Sequence, residues 1–153
     1  MKILVSACLL GENCKYSGGN NYNQAVCDFA RGHQVVLVCP EVLGGLPTPR
    51  CPAEIVQGVV TNKEGINVDR EFRVGAAKAL AIAKENGVEL AILQSRSPSC
   101  GVKEIYDGTF SGTKIPGQGV FAKMLMDEGV RVLDAGELPK IILKNEDGKC
   151  QSN

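Results

Sequence analysis

The chain has 153 residues, of which 44% are hydrophobic and 22% charged; that is enough for one domain with its own core and excludes an extensively disordered chain. Its 17 basic and 17 acidic residues cancel to a net charge of zero, which argues against broad electrostatic binding to nucleic acid or to an anionic membrane. No apolar run approaches the ~20 residues of a bilayer span, and the opening MKILVSACLLGENC, with one lysine and a short apolar run broken by Gly-Glu-Asn, is a poor signal peptide.

In chain order, residues 2–7 (KILVSA) read as a short strand and residues 23–31 as a short helix. Residues 34–38 (QVVLV) form a continuous apolar run, the pattern of a strand buried on both faces. A small hairpin is expected within 54–67. The clearest helix runs over 69–86: Asp69 is a natural N-cap, Phe72, Ala76, Leu80 and Ala83 recur at helical spacing, and Gly87 closes it. Residues 89–94 (ELAILQ) are a third strand. A second helix over 117–128 follows Pro116 with Phe121, Met124 and Leu125 on one face, and residues 130–133 (VRVL) are a fourth strand. Three stretches, 11–22, 43–52 and 95–119, hold most of the Gly, Pro, Ser and Asn and read as irregular. Strands alternating with helices predict a parallel sheet with right-handed crossovers. The expected fold class is therefore α/β: a single-domain, Rossmann-like parallel sheet flanked by helices over residues 1–145, with long functional loops at its carboxyl edge and a polar tail at 146–153.

Seven cysteines stand beside one histidine and no tryptophan. Their share falls below the ~8–10% of disulfide scaffolds; the number is odd and no export signal precedes them, so they read as reduced thiols in a cytoplasmic protein. Cys8 follows the first strand, Cys39 the second and Cys100 the third. In an open parallel sheet all carboxyl ends share one edge, where ligands bind. Three thiols distant in sequence are thus expected to converge, although no Cys-x-x-Cys pair exists. Sulfur ligands favour zinc, copper(I) or iron–sulfur clusters. A closed zinc site needs four ligands, and the one histidine, His33, precedes the second strand and falls at the opposite edge. Three cysteines leave one position open, as a substrate site on a soft metal centre requires. Buried thiols acting as small hydrophobes, and thiol-based catalysis, are the alternatives. Cys14 and Cys51 sit in neighbouring loops as candidate fourth ligands; Cys27 falls in a helical pattern and Cys150 in the polar tail.

The flanking residues add chemistry. Glu41, two residues after Cys39, is either a general base on the binding rim or a simple helix-start acid. Ser97 and Ser99 stand beside Cys100 in Ser-Pro-Ser-Cys-Gly, which also reads as a Ser-Pro turn. The run Gly44-Gly45-Leu46-Pro47-Thr48-Pro49-Arg50 is either a rigid loop or a substrate clamp, with Gly45 and Arg50 as binding residues and Arg50 as donor.

Four segments, SACLLGENCKYSGG (6–19), CPEVLGGLPTPRCPAE (39–54), SRSPSCG (95–101) and YDGTFSGTKIPGQGV (106–120), together resemble the DUF523 family, which includes the thiouracil desulfurases. The resemblance runs from about residue 2 to residue 138, with the segments in the family's order. It implies a [4Fe-4S] cluster on the cysteines that match Cys8, Cys39 and Cys100, with one iron not bound by cysteine. It further implies removal of sulfur, as hydrosulfide, from a thiolated uracil base or nucleoside with no net redox change. By the same resemblance Glu41 activates water and a serine of the SPSC loop, Ser97 or Ser99, assists proton transfer. The implied partner is a small-molecule thiolated nucleobase or nucleoside; the balanced charge and the lack of a long apolar run argue against a membrane or a nucleic acid. Two rival readings share the fold: a non-enzymatic metal or cluster carrier, and a thiol-redox protein, against which the missing Cys-x-x-Cys counts.

Overall fold

A computed structural model describes residues 1–138; the tail expected over 146–153, with Cys150, lies outside the described residues. Its centre is a four-stranded parallel sheet in the order β2-β1-β5-β8, formed by β1 (Lys2–Ser6), β2 (Gln34–Val38), β5 (Leu90–Leu93) and β8 (Arg131–Asp134). The helices are α1 (Gln24–Ala30), α2 (Pro40–Leu43), α3 (Asp69–Glu85) and α4 (Val120–Asp127). Two antiparallel hairpins, β3–β4 (Ala53–Val56, Val59–Asn62) and β6–β7 (Glu104–Tyr106, Lys114–Pro116), stand apart from the sheet. The α/β class with a helix-flanked parallel sheet is as the sequence predicts.

Apolar runs that look uniform in sequence are divided by the pleat between two cores. Leu4, Val38, Ala91 and Leu93 face α3 and α4, meeting Phe72, Ala76, Phe121 and Leu125. Ile3, Val5, Leu90 and Ile92 face the other way, onto Leu9, Val26 and Ala30. The row Ala76, Ala79 and Ala83, all essentially buried, gives α3 a small-residue stripe against the first core.

The structure corrects several sequence expectations. β2 is not buried on both faces: it is an edge strand bonded only to β1, and Val35 and Leu37 are 36% and 41% exposed. The core on that face is built on β1 and β5 and does not extend to them. Asp69 is not the N-cap of α3; Val68 occupies that position. The Asp69 carboxylate instead accepts the Val60 N–H at 2.9 Å and Arg73 Nε at 2.8 Å, tying the helix to the first hairpin, while Asn67 accepts the Asp69 N–H at 2.9 Å. α4, expected from residue 117, starts at Val120 because Gly119 is its extended N-cap. The second hairpin occupies part of the stretch read as irregular.

The short α2 matters most for function. It begins at Pro40, where a missing N–H costs nothing, and it lies on α3 through two glycines. A Cβ on Gly44 would overlap the Glu71 carbonyl, and one on Gly75 would overlap the Pro40 carbonyl. A mid-helix glycine is unfavourable by ~1 kcal/mol relative to alanine; here it is what lets the α2 backbone, with Cys39 and Glu41 at its start, sit directly against α3.

Candidate functional site

The sheet order places a switch point between β1 and β5: the chain leaves β1 towards β2 on one side and β5 towards β8 on the other. Ligands bind at such points, outside the carboxyl ends of the strands. Cys8 lies in a 3-10 turn (Ala7–Leu10) directly after β1, Cys39 is the extended N-cap of α2 directly after β2, and Cys100 lies in the loop after β5. All three line one cavity of about 630 Å³, together with Glu41, Ser97 and Ser99. Its size is that of a small-molecule site. His33, at the start of β2, is not part of it.

Within this cavity the thiols are electrostatically unequal. The Cys8 thiol is lowered to about 7, first because Cys14 donates a hydrogen bond to it, against the cost of burial, with further help from Asn21 Nδ2 at 3.4 Å from the sulfur. Cys39 is also lowered to about 7, chiefly by the hydrogen bond from Cys14, against burial and with help from the Val42 N–H. Cys14, whose single proton can serve one of these neighbours at a time, is raised. Burial pushes Cys100 up to about 12 despite the Ser6 and Ser99 hydroxyls beside it. Cys8 and Cys39 are thus eased towards thiolate through the one Cys14 proton, while Cys100 needs an electropositive centre to draw off its own.

A carboxylate network adjoins the sulfurs. Arg50 grips Glu41 Oε1 with Nε at 2.9 Å and Nη2 at 2.8 Å. Nη2 also donates to the Cys14 carbonyl at 2.8 Å, and Nη1 to Pro47 O and Thr48 Oγ1 at 3.1 and 2.9 Å. The guanidinium is therefore engaged with the protein's own acceptors. Ser99 Oγ donates to the other carboxylate oxygen, Glu41 Oε2, at 2.9 Å. Ser97 Oγ accepts the N–H groups of Ser99 and Cys100 at 3.1 and 3.0 Å. Its own hydrogen is left for Ser99 Oγ at 2.9 Å. This orders a chain running Ser97 to Ser99 to Glu41. Ser99 is 1% exposed, whereas Ser97 is only half-buried and stands where the cavity can reach it.

The cavity thus brings together Cys8, Cys39, Cys100, Glu41, Arg50, Ser97 and Ser99. Gly45 is not among its lining residues; it takes the left-handed backbone (φ +94) of the turn after α2 and donates its N–H to Val42 O at 3.0 Å. Leu46 and Pro47, which follow it, line the cavity, as does Cys51. The sequence left Cys14 in an ambiguous loop. Its position between two other thiols depends on the Arg50 bond to its carbonyl, a contact across 36 positions that spacing does not reveal. Glu54, which accepts the Gly108 and Phe110 N–H groups, was also not singled out.

The donor set is all sulfur, which suits a soft metal. No three His, Cys, Asp or Glu side chains among the described residues are grouped for one metal ion. A single ion gathers its sulfurs within ~4 Å of one another, since each bond is ~2.3 Å. In an iron–sulfur cluster each cysteine binds a different iron, so an all-sulfur set drawn from three chain segments suits a cluster as well as a single soft ion.

Comparison with known proteins gives the following. A family model described as 2-thiouracil desulfurase matches residues 3–137. The YbbK protein of Bacillus subtilis (strain 168), itself uncharacterized, is 42% identical over 150 residues, covering 92% of this chain and 99% of its own length. A solved structure of TudS, a [4Fe-4S]-dependent thiouracil desulfidase of the DUF523 type, superposes with a TM-score of 0.84 at 40% identity. That match covers 94% of this chain and 96% of the other.

Proposed function

The chain belongs to the 2-thiouracil desulfurase family, and from that premise we propose that it hydrolytically removes the sulfur of a thiolated uracil base or nucleoside. The observation that carries this reading is the meeting of three cysteines from three strand ends with a clamped glutamate in one cavity of small-molecule size.

Cys8, Cys39 and Cys100 would hold a [4Fe-4S] cluster with one iron free of cysteine. When bound, that cluster supplies a soft Lewis acid able to polarise a thiocarbonyl. The Cys14 proton eases Cys8 or Cys39 towards thiolate, which lowers the cost of loading.

Glu41 has the position of a general base. Arg50 and Ser99 fix both carboxylate oxygens, and the side chain remains 14% exposed, on the cavity side. It takes a proton from the water that attacks the ring carbon bearing sulfur. Ser97, at the accessible end of the hydroxyl chain, exchanges a proton with the substrate, and Ser99 connects it to Glu41. The balance is thiocarbonyl plus water giving carbonyl plus hydrogen sulfide, ionised to hydrosulfide and a proton. The carbon keeps its oxidation state, so no electron donor enters. No helix of the described residues is long and apolar enough to cross a membrane, and the reading requires only a diffusible small molecule and water.

The test is stoichiometry. Anaerobically loaded protein given 2- or 4-thiouracil, with no reductant, is expected to yield uracil and hydrosulfide in equal amounts. Uracil formation that depends on an added reductant, or no hydrosulfide at all, contradicts the reading.

A further inference from the structure

Three non-glycine residues among those described have left-handed backbone: Gln57, Arg96 and Phe110. Gln57 lies in the tight turn of the first hairpin, but Arg96 and Phe110 both line the cavity. A bulky side chain at such a position is a genuine outlier, and outliers of this kind persist where the surroundings over-determine them. Glycine would meet the backbone demand at position 110 without strain, so the presence of phenylalanine calls for an account of its ring.

The surroundings of Phe110 are explicit. Glu54 Oε1 accepts the Gly108 N–H at 2.9 Å and the Phe110 N–H at 3.1 Å, fixing the loop between β6 and β7 against β3. Gly108, also left-handed (φ +93), lies so close to β3 that a Cβ there would stand 2.7 Å from the Ile55 carbonyl. Asp107 braces the same loop by accepting both the N–H and the hydroxyl of Thr109. This bracing sets a half-buried aromatic ring, Phe110, on the wall of the cavity that the three thiols share, where Tyr106 and Gly112 of the same hairpin also line it.

We propose that Phe110 is the stacking platform for the pyrimidine ring of the substrate, and that Glu54 is the positioning residue that holds it there. The proposal rests on the functional reading above and deepens it: the cavity selects a planar heterocycle, and a thiocarbonyl alone does not suffice. Stacking of a base on an aromatic side chain is worth about tenfold or more in affinity. Because the ring is stacked before and during reaction, its removal weakens binding while leaving the chemical step nearly intact.

The experiment measures equilibrium binding of uracil, the product, by calorimetry to the cluster-loaded protein, with steady-state kinetics on 4-thiouracil alongside. Phe110→Ala and Phe110→Leu are expected to raise the uracil Kd and the 4-thiouracil KM by about tenfold, with kcat changed much less, while Phe110→Tyr keeps both. Thioacetamide, a thiocarbonyl without a ring, is expected to compete no worse in Phe110→Ala than in the unsubstituted protein. Glu54→Ala is expected to reproduce the Phe110→Ala loss, and Glu54→Gln, whose amide oxygen still accepts both N–H groups, to restore binding. An unchanged uracil Kd in Phe110→Ala, or a loss confined to kcat, overturns the stacking assignment and leaves the desulfurase reading in place. Unsubstituted protein that binds neither uracil nor 4-thiouracil overturns both.

Discussion

Arg50 and Glu41 form an enclosed ion pair at the cavity wall: Nη2 stands 2.8 Å from Oε1, with the side chains 6% and 14% exposed. The pair carries more than charge, because the same guanidinium holds the Cys14 carbonyl and so joins the loop beside Cys8 to the base of α2. Removing one member of a buried pair leaves the other charge uncompensated, a loss of about 3–5 kcal/mol. Arg50→Ala is expected to fall towards the lower end of that range in urea unfolding. Arg50→Lys is expected to recover only part of it, since an ammonium cannot span Glu41 and the Cys14 carbonyl in the same fork. The double variant Arg50→Ala/Glu41→Gln is expected to be more stable than Arg50→Ala alone.

The three-ligand reading makes a separate prediction. Cys8→Ser, Cys39→Ser and Cys100→Ser are each expected to abolish iron and sulfide retention after anaerobic reconstitution. Cys27→Ser, in α1 and away from the cavity, is expected to leave both unchanged. Cys14→Ser is expected to retain the cluster, since Cys14 acts as a hydrogen-bond donor to Cys8 or Cys39, a role a hydroxyl keeps. Loss of iron in Cys14→Ser would instead make the site a four-thiolate one.

Much of this site was legible in the sequence for one reason: a parallel sheet collects the ends of its strands, so Cys8, Cys39 and Cys100 could be brought to one edge without knowing any contact. Glu41 and the two serines followed as neighbours of those cysteines. Cross-chain contacts were not legible. At Arg50 nothing local shows that its fork engages Glu41 and a carbonyl 36 positions away. The β6–β7 hairpin was missed because strands of three residues, one ending in proline, carry no readable period. The exposure of Val35 and Leu37 was missed for a different reason. A uniform apolar run looks the same in a central strand and in an edge strand whose outer face lies beyond the core.

Gly75 tests how α2 is seated. On helix propensity alone, Gly75→Ala should gain ~1 kcal/mol. The overlap of a Cβ with the Pro40 carbonyl reverses the sign, and overpacking is expected to cost about 1–3 kcal/mol. Because α2 carries Cys39 and Glu41 at its start, the variant is also expected to retain less iron per chain than the unsubstituted protein, read by iron analysis.

Asp69 gives a pH signature outside the cavity. Burial pushes its carboxyl up, but the hydrogen bonds from Arg73 and from the Val60 N–H, with the Arg73 charge, outweigh it and hold the group below the usual aspartate range. A folded-state value below the unfolded one means stability present above the unfolded value and lost as pH falls through the folded value. Asp69→Asn is therefore expected to be less stable at neutral pH, with the difference shrinking below about pH 4, as read from urea midpoints across pH.

The central claim is that Glu41 performs the chemical step at a site whose sulfurs hold the cluster independently of it. The most direct measurement is hydrosulfide release from 4-thiouracil by anaerobically reconstituted Glu41→Ala, with iron content and visible spectrum recorded on the same sample. The account predicts iron and absorbance matching the unsubstituted protein, with hydrosulfide release reduced by about a hundredfold or more, as for loss of a general base. A Glu41→Ala protein that keeps its iron and releases hydrosulfide at the unsubstituted rate would contradict it.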